Sequence, residues 1–275
     1  MTQIDDDAIR RVARVRWSEG AAEASDDAVA REEPLEIQIG AAPIAVVMRT
    51  PGDDADLALG FLVTERIVRS AKDVVSLRHC SLATDPDAAD NVVRAVLDPG
   101  VRVDLEALRR NLYATSSCGI CGKATIEQAL VAAPPLDDPA RFPAAFFEAL
   151  PERARAAQAV FARTGGLHAA ALFAPDGRLL ALREDVGRHN AVDKVVGWAA
   201  REDRLPLAGH VLLVSGRVSY EIAQKALAAR IPLVAAVSAP SSLAVELALE
   251  GGMALVCFLR GRNFSVYGSR ERVVE

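Results

Sequence analysis

The chain has 275 residues, 51% hydrophobic and 25% charged, with 32 Lys and Arg against 37 Asp and Glu and a net charge of -5. That balance suits a globular protein large enough for one large or two modest cores, and it excludes the basic footprint of a general nucleic-acid binder. No apolar run reaches membrane-spanning length and MTQIDDDAIR carries acid where a secretory signal needs a basic start, so we expect no membrane, no nucleic acid and a cytoplasmic location.

Residues 1–30 are acid-rich and weakly patterned and read as a flexible lead-in, apart from Val12 to Trp17, whose alternation suits one edge strand. From Pro34 the texture changes. Leu35, Ile37 and Ile39 alternate with polar residues, Gly40 follows, and Ile44 to Met48 complete a hairpin. Asp53 or Asp54 caps a helix running through Leu57, Leu59, Phe61 and Leu62 to about Ile67. Strands at Val74–Leu82 and Val92–Leu97 make residues 31–123 a small α+β unit that ends in the Cys-containing stretch.

A Pro-punctuated linker, Ala132 to Pro143, leads into one Ala-rich helix from about Ala144 to Arg163 within a second unit, 124–275. Strands and helices then alternate: Leu167–Ala174, Arg178–Arg183, helix Arg188–Ala200, His210–Val214, helix Ser219–Arg230, Leu233–Val237, helix Ser241–Glu250, Met253–Leu259 and Asn263–Tyr267. The runs VLLV and ALVCFL suit strands buried on both faces. The expected architecture is an α/β fold, a three-layer sandwich on a mostly parallel sheet with ligands at its C-terminal strand ends.

The chemistry is expected at Ser116 to Lys123, SSCGICGK, where Cys118 and Cys121 lie three apart among small residues beside a cation. Helix formers follow from Lys123 to Leu130, placing Cys121 near a helix N-terminus; that dipole end and the lysine both favour thiolate. The same spacing also fits half of a structural zinc site or a redox disulfide. Of the other two cysteines, Cys257 reads as a small core residue, and His79 with Cys80 shows no partner spacing for a metal.

Four turns of the second unit carry more chemistry than connectors need. Arg183 to Asn190 packs Asp185, Arg188 and His189 into one strand-to-helix turn, where capping explains one or two of them. Ser215, Gly216 and Arg217 follow a buried strand and suit an anion, or a plain glycine turn. Ser238 to Ser242 supplies hydroxyls that cap the next helix. Phe258, Leu259, Arg260, Gly261, Arg262 and Asn263 follow another buried strand, with two guanidiniums able to clamp phosphates. Together, at one sheet edge, they describe a pocket for a phosphorylated or nucleotide-bearing ligand, with His168 as a candidate lining residue.

The stretches EEPLEIQIG, MRTPGDDADLALGFLVTE, SSCGICGK, TGGLHAAALF, REDVGRHNAVDKVVGW, SGRVSYEIAQKA, AAVSAPSSLAVELA and FLRGRNFSVY, in this order, resemble the formate dehydrogenase accessory sulfurtransferase family, FdhD. The resemblance implies a protein that accepts sulfur from a cysteine desulfurase as a persulfide and passes it to the bis-molybdopterin guanine dinucleotide form of the molybdenum cofactor, Mo-bisMGD, for formate dehydrogenase. It implies Cys118 as the persulfide carrier with Cys121 as its partner, and cofactor binding at Phe258 to Asn263. It also implies a C-terminal cytidine-deaminase-like αβα domain preceded by a small α+β roll. Deamination itself is not expected, because Ala169 and Ala170 follow His168 where a zinc deaminase needs glutamate, and the CxxC precedes the histidine.

On that reading the cofactor is a bound substrate whose site a guanine nucleotide can also occupy. Arg260 and Arg262 face one pyrophosphate, Ser215 to Arg217 another, and Asp185 offers a carboxylate to guanine. A homodimer would bind the two nucleotide arms by symmetry. The rival from another class is a chaperone that binds the molybdenum cofactor or a guanine nucleotide without sulfur chemistry. A thiol-disulfide oxidoreductase is disfavoured by the position of the CxxC at a junction rather than in a first βα turn.

Overall fold

The computed structural model describes residues 7–80, 90–104 and 134–275. The chain opens on strands β1, Ile9–Ser18, and β2, Ala21–Ala30, paired antiparallel in register from Ile9 opposite Ala30 to Ser18 opposite Ala21. The expected lead-in is therefore a hairpin. Its two-residue turn has positive φ at both Glu19 (52°) and Gly20 (86°), the twist that matches two antiparallel strands. Only its base is covered, where Ala8, Ile9, Ala28 and Ala30 pack with Val160 and Leu167.

Strands β3, Glu33–Ile39, and β4, Ala42–Arg49, form the predicted second hairpin. Helix α1 spans Asp54–Thr64, and β5, Val74–His79, and β6, Val92–Leu97, complete a sheet of order β4-β3-β6-β5. At the start of α1 neither aspartate acts as the expected cap. Asp53 sits in a left-handed conformation and makes no cap bond. Its carboxylate lies 3.2 Å from Arg183, and that of Asp54 is held by buried Arg49 at 2.9 and 3.0 Å.

After the two-residue strand β7, Phe142–Pro143, the expected single helix is broken into a 3-10 turn, Ala144–Phe147, helix α2, Leu150–Ala157, and helix α3, Ala159–Thr164. The break at Gln158 exposes backbone N–H groups, and one carboxylate collects them: Val160 and Phe161 donate to Glu184 at 2.9 and 2.8 Å. A helix that gains such an acceptor can restart cheaply.

The remaining elements follow the predicted order: β8, His168–Phe173; β9, Leu179–Asp185; α4, Arg188–Arg201; β10, Val211–Val214; α5, Tyr220–Ala228; β11, Leu233–Ala236; α6, Ser242–Glu250; β12, Ala254–Arg260; β13, Asn263–Gly268; and β14, Val273–Val274. They build a six-stranded sheet of order β13-β12-β11-β10-β8-β9. The expected mostly parallel sheet is mixed: β10 pairs parallel to β11 and β11 to β12, whereas β8–β9, β8–β10 and β12–β13 are antiparallel. Tight connections at Pro175–Gly177 and Gly261–Arg262 are too short for a crossover and can join only antiparallel neighbours.

Alternate strand residues feed two cores. Ala170, Leu172, Leu212, Val234 and Leu255 face α1, α4, α5 and α6, while Ala171, Phe173, Leu213, Ala235 and Val256 face Phe142, Phe147 and Leu150. The first core also contains Leu35, Ile37 and Val93 of the small sheet, so one apolar interior runs through both predicted units, joined mainly by α1 against α4. No described helix is long and apolar enough to cross a membrane.

Candidate functional site

Because β8 runs against both β9 and β10, the C-terminal ends of β9, β10, β11 and β12 and the N-terminal end of β8 share one sheet edge. The four chemistry-bearing turns lie there and touch in sequence. Ser215 N–H donates to Ala169 O at 2.9 Å, Val218 pairs with Pro240 in an isolated bridge, and Phe258 N–H donates to Ser238 O at 3.0 Å.

The first turn is clamped from below. Asp185 is fully buried and accepts from Gly187 N (2.8 Å), Asn190 Nδ2 (2.9 Å) and Thr50 N (3.2 Å), with Lys194 Nζ at 2.8 Å. Lys194 also donates to Thr50 O at 2.9 Å, and Asn190 to Met48 O at 2.7 Å. Asp185 is therefore the post that ties β4 to this turn. Its lone pairs are spent there, which corrects the expectation that it is open to a guanine ring.

Above that post the groups are less satisfied. Arg188 Nε is buried with no hydrogen-bond partner among the described residues, and Arg188 Cδ lies 3.4 Å from where a Cβ on Gly216 would stand. His189 Nε2 is 3.2 Å from Ser219 Oγ and 3.8 Å from Glu221. Burial first, then Arg188 and Lys225, push its pKa down to about 4. His168 Nδ1 is 3.3 Å from Ser215 Oγ, which also accepts from Ala169 N at 2.9 Å. With one lone pair of Ser215 Oγ taken by Ala169 N, the contact with Nδ1 forms in either tautomer, through the hydroxyl proton or through the ring proton. Burial and Arg188 hold His168 below its ordinary value, so the ring is a neutral N–H donor at neutral pH.

His168 and Ser215 stand in the wall of a cavity of about 810 Å³ between α2–α3 and the strand ends. Arg155 enters the same wall, its guanidinium carbon 4.0 Å from the centre of the Phe161 ring. Among the residues chosen from sequence for binding, Ser215 lines this cavity; His168 does too, beside Gly165 and Gly166. Arg155, Gln158 and Phe161 were not singled out, since nothing in an Ala-rich helical stretch marks where it will break over a cavity.

Other candidates sit on the same edge outside that wall. Arg217 is exposed, and Ser241 caps α6 by accepting from Ala244 N at 3.3 Å. Along the last turn Phe258 has φ of 57° and is 46% exposed, beside a bulge between Cys257 and Arg260. Leu259 is buried, whereas Arg260, Gly261, Arg262 and Asn263 are exposed, with Arg262 Nε 3.7 Å from Glu148. Cys257 is fully buried and its thiol is pushed up to about 12, an inert core group. Cys118 and Cys121 lie outside the described residues. Among the described residues no three His, Cys, Asp or Glu side chains gather in a metal-holding group.

A family model described as the FdhD/NarQ family matches residues 30–274. The chain belongs to that family. An FdhD/NarQ relative from Streptomyces coelicolor, named Sulfur carrier protein FdhD, is 52% identical over 268 residues, covering 96% of this chain and 94% of the relative. Relatives of the same name from Mycobacterium tuberculosis and Sulfolobus acidocaldarius are 51% and 42% identical over 253 and 265 residues. They cover 90% and 96% of this chain and 92% and 98% of their own. The fold also matches a crystal structure from Desulfotalea psychrophila, described as a formate dehydrogenase accessory protein, with TM-score 0.75 and 23% identity over 97% of this chain and all of that one. The FdhD/NarQ match spans every turn of the site edge and the stretch that carries Cys118 and Cys121.

Proposed function

We propose that this chain is a sulfur carrier that takes a sulfur atom from a cysteine desulfurase onto Cys118 and delivers it to Mo-bisMGD for use by formate dehydrogenase. The observation that carries the reading is the site edge itself. A buried, unpartnered Arg188 Nε, a neutral His168 and Ser215 stand at one rim, with exposed Arg217, Arg260 and Arg262 on neighbouring turns. That set suits a large polyanion, and the relatives' shared name supplies the sulfur.

In the transfer, the Cys118 thiolate attacks the outer sulfur of the desulfurase persulfide; a Cys118 persulfide forms and the donor leaves as thiolate. Cys121 thiolate then attacks the inner sulfur at Cys118, releasing hydrosulfide toward the metal and leaving a Cys118–Cys121 disulfide. A cellular dithiol reduces that disulfide by exchange and is itself oxidised. Arg260 and Arg262 clamp one pyrophosphate, and Ser215 to Arg217 another. A guanine nucleotide alone would occupy the same turns, and a homodimer would present two such edges to the two nucleotide arms. The scaffold reading belongs here too: helices on both faces of the large sheet fit a cytidine-deaminase-like layering, without the glutamate that deamination needs.

The test is intact mass after incubation with a desulfurase and cysteine. One added sulfur atom on the wild type, lost in Cys118→Ala and retained in Cys121→Ala, supports the carrier. Cofactor binding with no sulfur adduct on any variant would leave a chaperone instead.

A further inference from the structure

A second, smaller cavity of about 430 Å³ lies at the opposite edge of the large sheet, where the chain enters β10 and β11. One four-residue strand, about 13 Å, separates the two edges. Arg66, Arg69 and Arg230 line it with Ser70, and the rest of its wall is apolar, including Val63 and Leu205. No carboxylate is among its described lining residues.

Two of the three guanidiniums are set by helix ends. Arg66 follows α1 and Arg230 follows α5, and both adopt left-handed backbone, with φ of 62° and 63°, where glycine is the ordinary residue. Their backbone closes each helix, while their guanidiniums take no part in the closure. The final carbonyls are taken by backbone donors: Arg66 N to Val63 O and Ile67 N to Leu62 O, then Arg230 N to Leu227 O and Ile231 N to Ala226 O, all 2.9 to 3.0 Å. Arg230 donates to the carbonyls of Pro134 and Pro135, which are neutral. Arg69, largely exposed at the rim, pairs with Asp73 at 3.4 Å. Arg66, also exposed at the rim, has no carboxylate partner among the described residues, and its partial burial, then the charge of Arg230, lower its pKa. Two like charges are thus brought to one apolar-walled cavity: a helix C-terminus favours a cation at each place, but no carboxylate among the described lining residues offsets their mutual repulsion.

We propose that Arg66 and Arg230, with Arg69 at the rim, form an oxyanion site for a small phosphate-bearing ligand, distinct from the turn edge that serves the sulfur-transfer reading. Guanidiniums bind the phosphate, and the apolar wall accepts an organic body beside it.

The experiment is thermal unfolding of the full chain in chloride and in inorganic phosphate at matched ionic strength, and with phenyl phosphate, for wild type, Arg66→Gly and Arg66→Gln. Glycine relieves the positive φ, so Arg66→Gly folds at least as well as wild type in chloride. The expected result is a wild-type Tm that rises with phosphate, and an apparent affinity at least tenfold weaker in both variants. A stronger response to phenyl phosphate marks an organic phosphate, and an equal one marks free phosphate. Phosphate bound at the turn edge raises Tm equally in all three proteins and cancels in the comparison. A wild type that does not respond, or variants that respond as fully as wild type, overturns the site and leaves the sulfur-carrier reading untouched.

Discussion

Gly60 of α1 and Gly197 of α4 meet backbone to backbone: a Cβ on Gly60 would stand 1.8 Å from the carbonyl oxygen of Asp193, and one on Gly197 1.8 Å from that of Asp56. This contact lets two helices from different halves of the chain close over a common core. Neither oxygen belongs to a flexible side chain, so an added methyl forces the helices apart. Gly60→Ala and Gly197→Ala should each destabilise by about 3 kcal/mol or more. Chemical denaturation monitored by circular dichroism checks this, and a midpoint within error of wild type would show that the helices can separate freely.

The Asp185–Lys194 pair makes the second prediction. With Asp185 fully buried and Lys194 1% exposed, removing the ammonium leaves a carboxylate without its charge partner in the interior. Lys194→Met should cost about 3–5 kcal/mol, while the double change Asp185→Asn with Lys194→Met should recover part of that loss. A double-mutant cycle by urea titration measures the coupling; additive effects would mean the two act separately.

His189 gives a pH dependence with a definite sign. Its pKa falls from an ordinary 6.5 to about 4 in the folded chain, so between those values the unfolded chain binds more protons. Stability that is fully present above pH 6.5 is therefore lost as pH falls toward 4, by on the order of 2–3 kcal/mol. In His189→Gln that part of the slope disappears. Denaturation midpoints at half-unit steps from pH 4 to 7 test it, and identical slopes in both proteins refute it.

Much of this architecture was legible because apolar period is a local property. VLLV, LVAA and ALVCFL mark strands buried on both faces, and the 3.6-residue spacing in α4 and α5 marks helices whatever surrounds them. What stayed hidden was decided at a distance. The hairpin of β1 and β2 has β-branched residues only at Ile9, Val12, Val15 and Val29 among Arg, Asp and Ala, so β1 alone shows alternation and the Glu19–Gly20 turn has no patterned partner strand. The break at Gln158 depends on Glu184, whose bonds to Val160 and Phe161 span 24 and 23 residues, and the spent state of Asp185 on Thr50 and Lys194. The turns of the site could be found by composition, but not which of their side chains remain free.

Cys257 separates chemistry from packing. A thiol at 0% exposure and pushed up to about 12 has almost no thiolate at neutral pH. Iodoacetamide on the native protein should leave Cys257 unlabelled, with labelling only after denaturation, and Cys257→Ala should keep any sulfur-accepting activity. Peptide mass mapping before and after unfolding decides it. Prompt native labelling of Cys257 would mean that β12 opens and that a second thiol competes for sulfur.

Ser215 couples fold and site most directly. Its Oγ accepts from Ala169 N, which belongs to a buried residue, and approaches His168 Nδ1 at 3.3 Å. In Ser215→Ala the amide loses its acceptor, which costs about 1–3 kcal/mol. With the hydroxyl proton on Nδ1, the neutral imidazole also loses a donor that favours it, so the His168 pKa should rise toward its ordinary value while burial and Arg188 still hold it down. Proton NMR of the His168 ring across pH, in wild type and Ser215→Ala, reads that shift independently of stability. An unchanged titration would show that the hydroxyl proton points elsewhere and that the ring at the cavity mouth is set by Arg188 and burial alone.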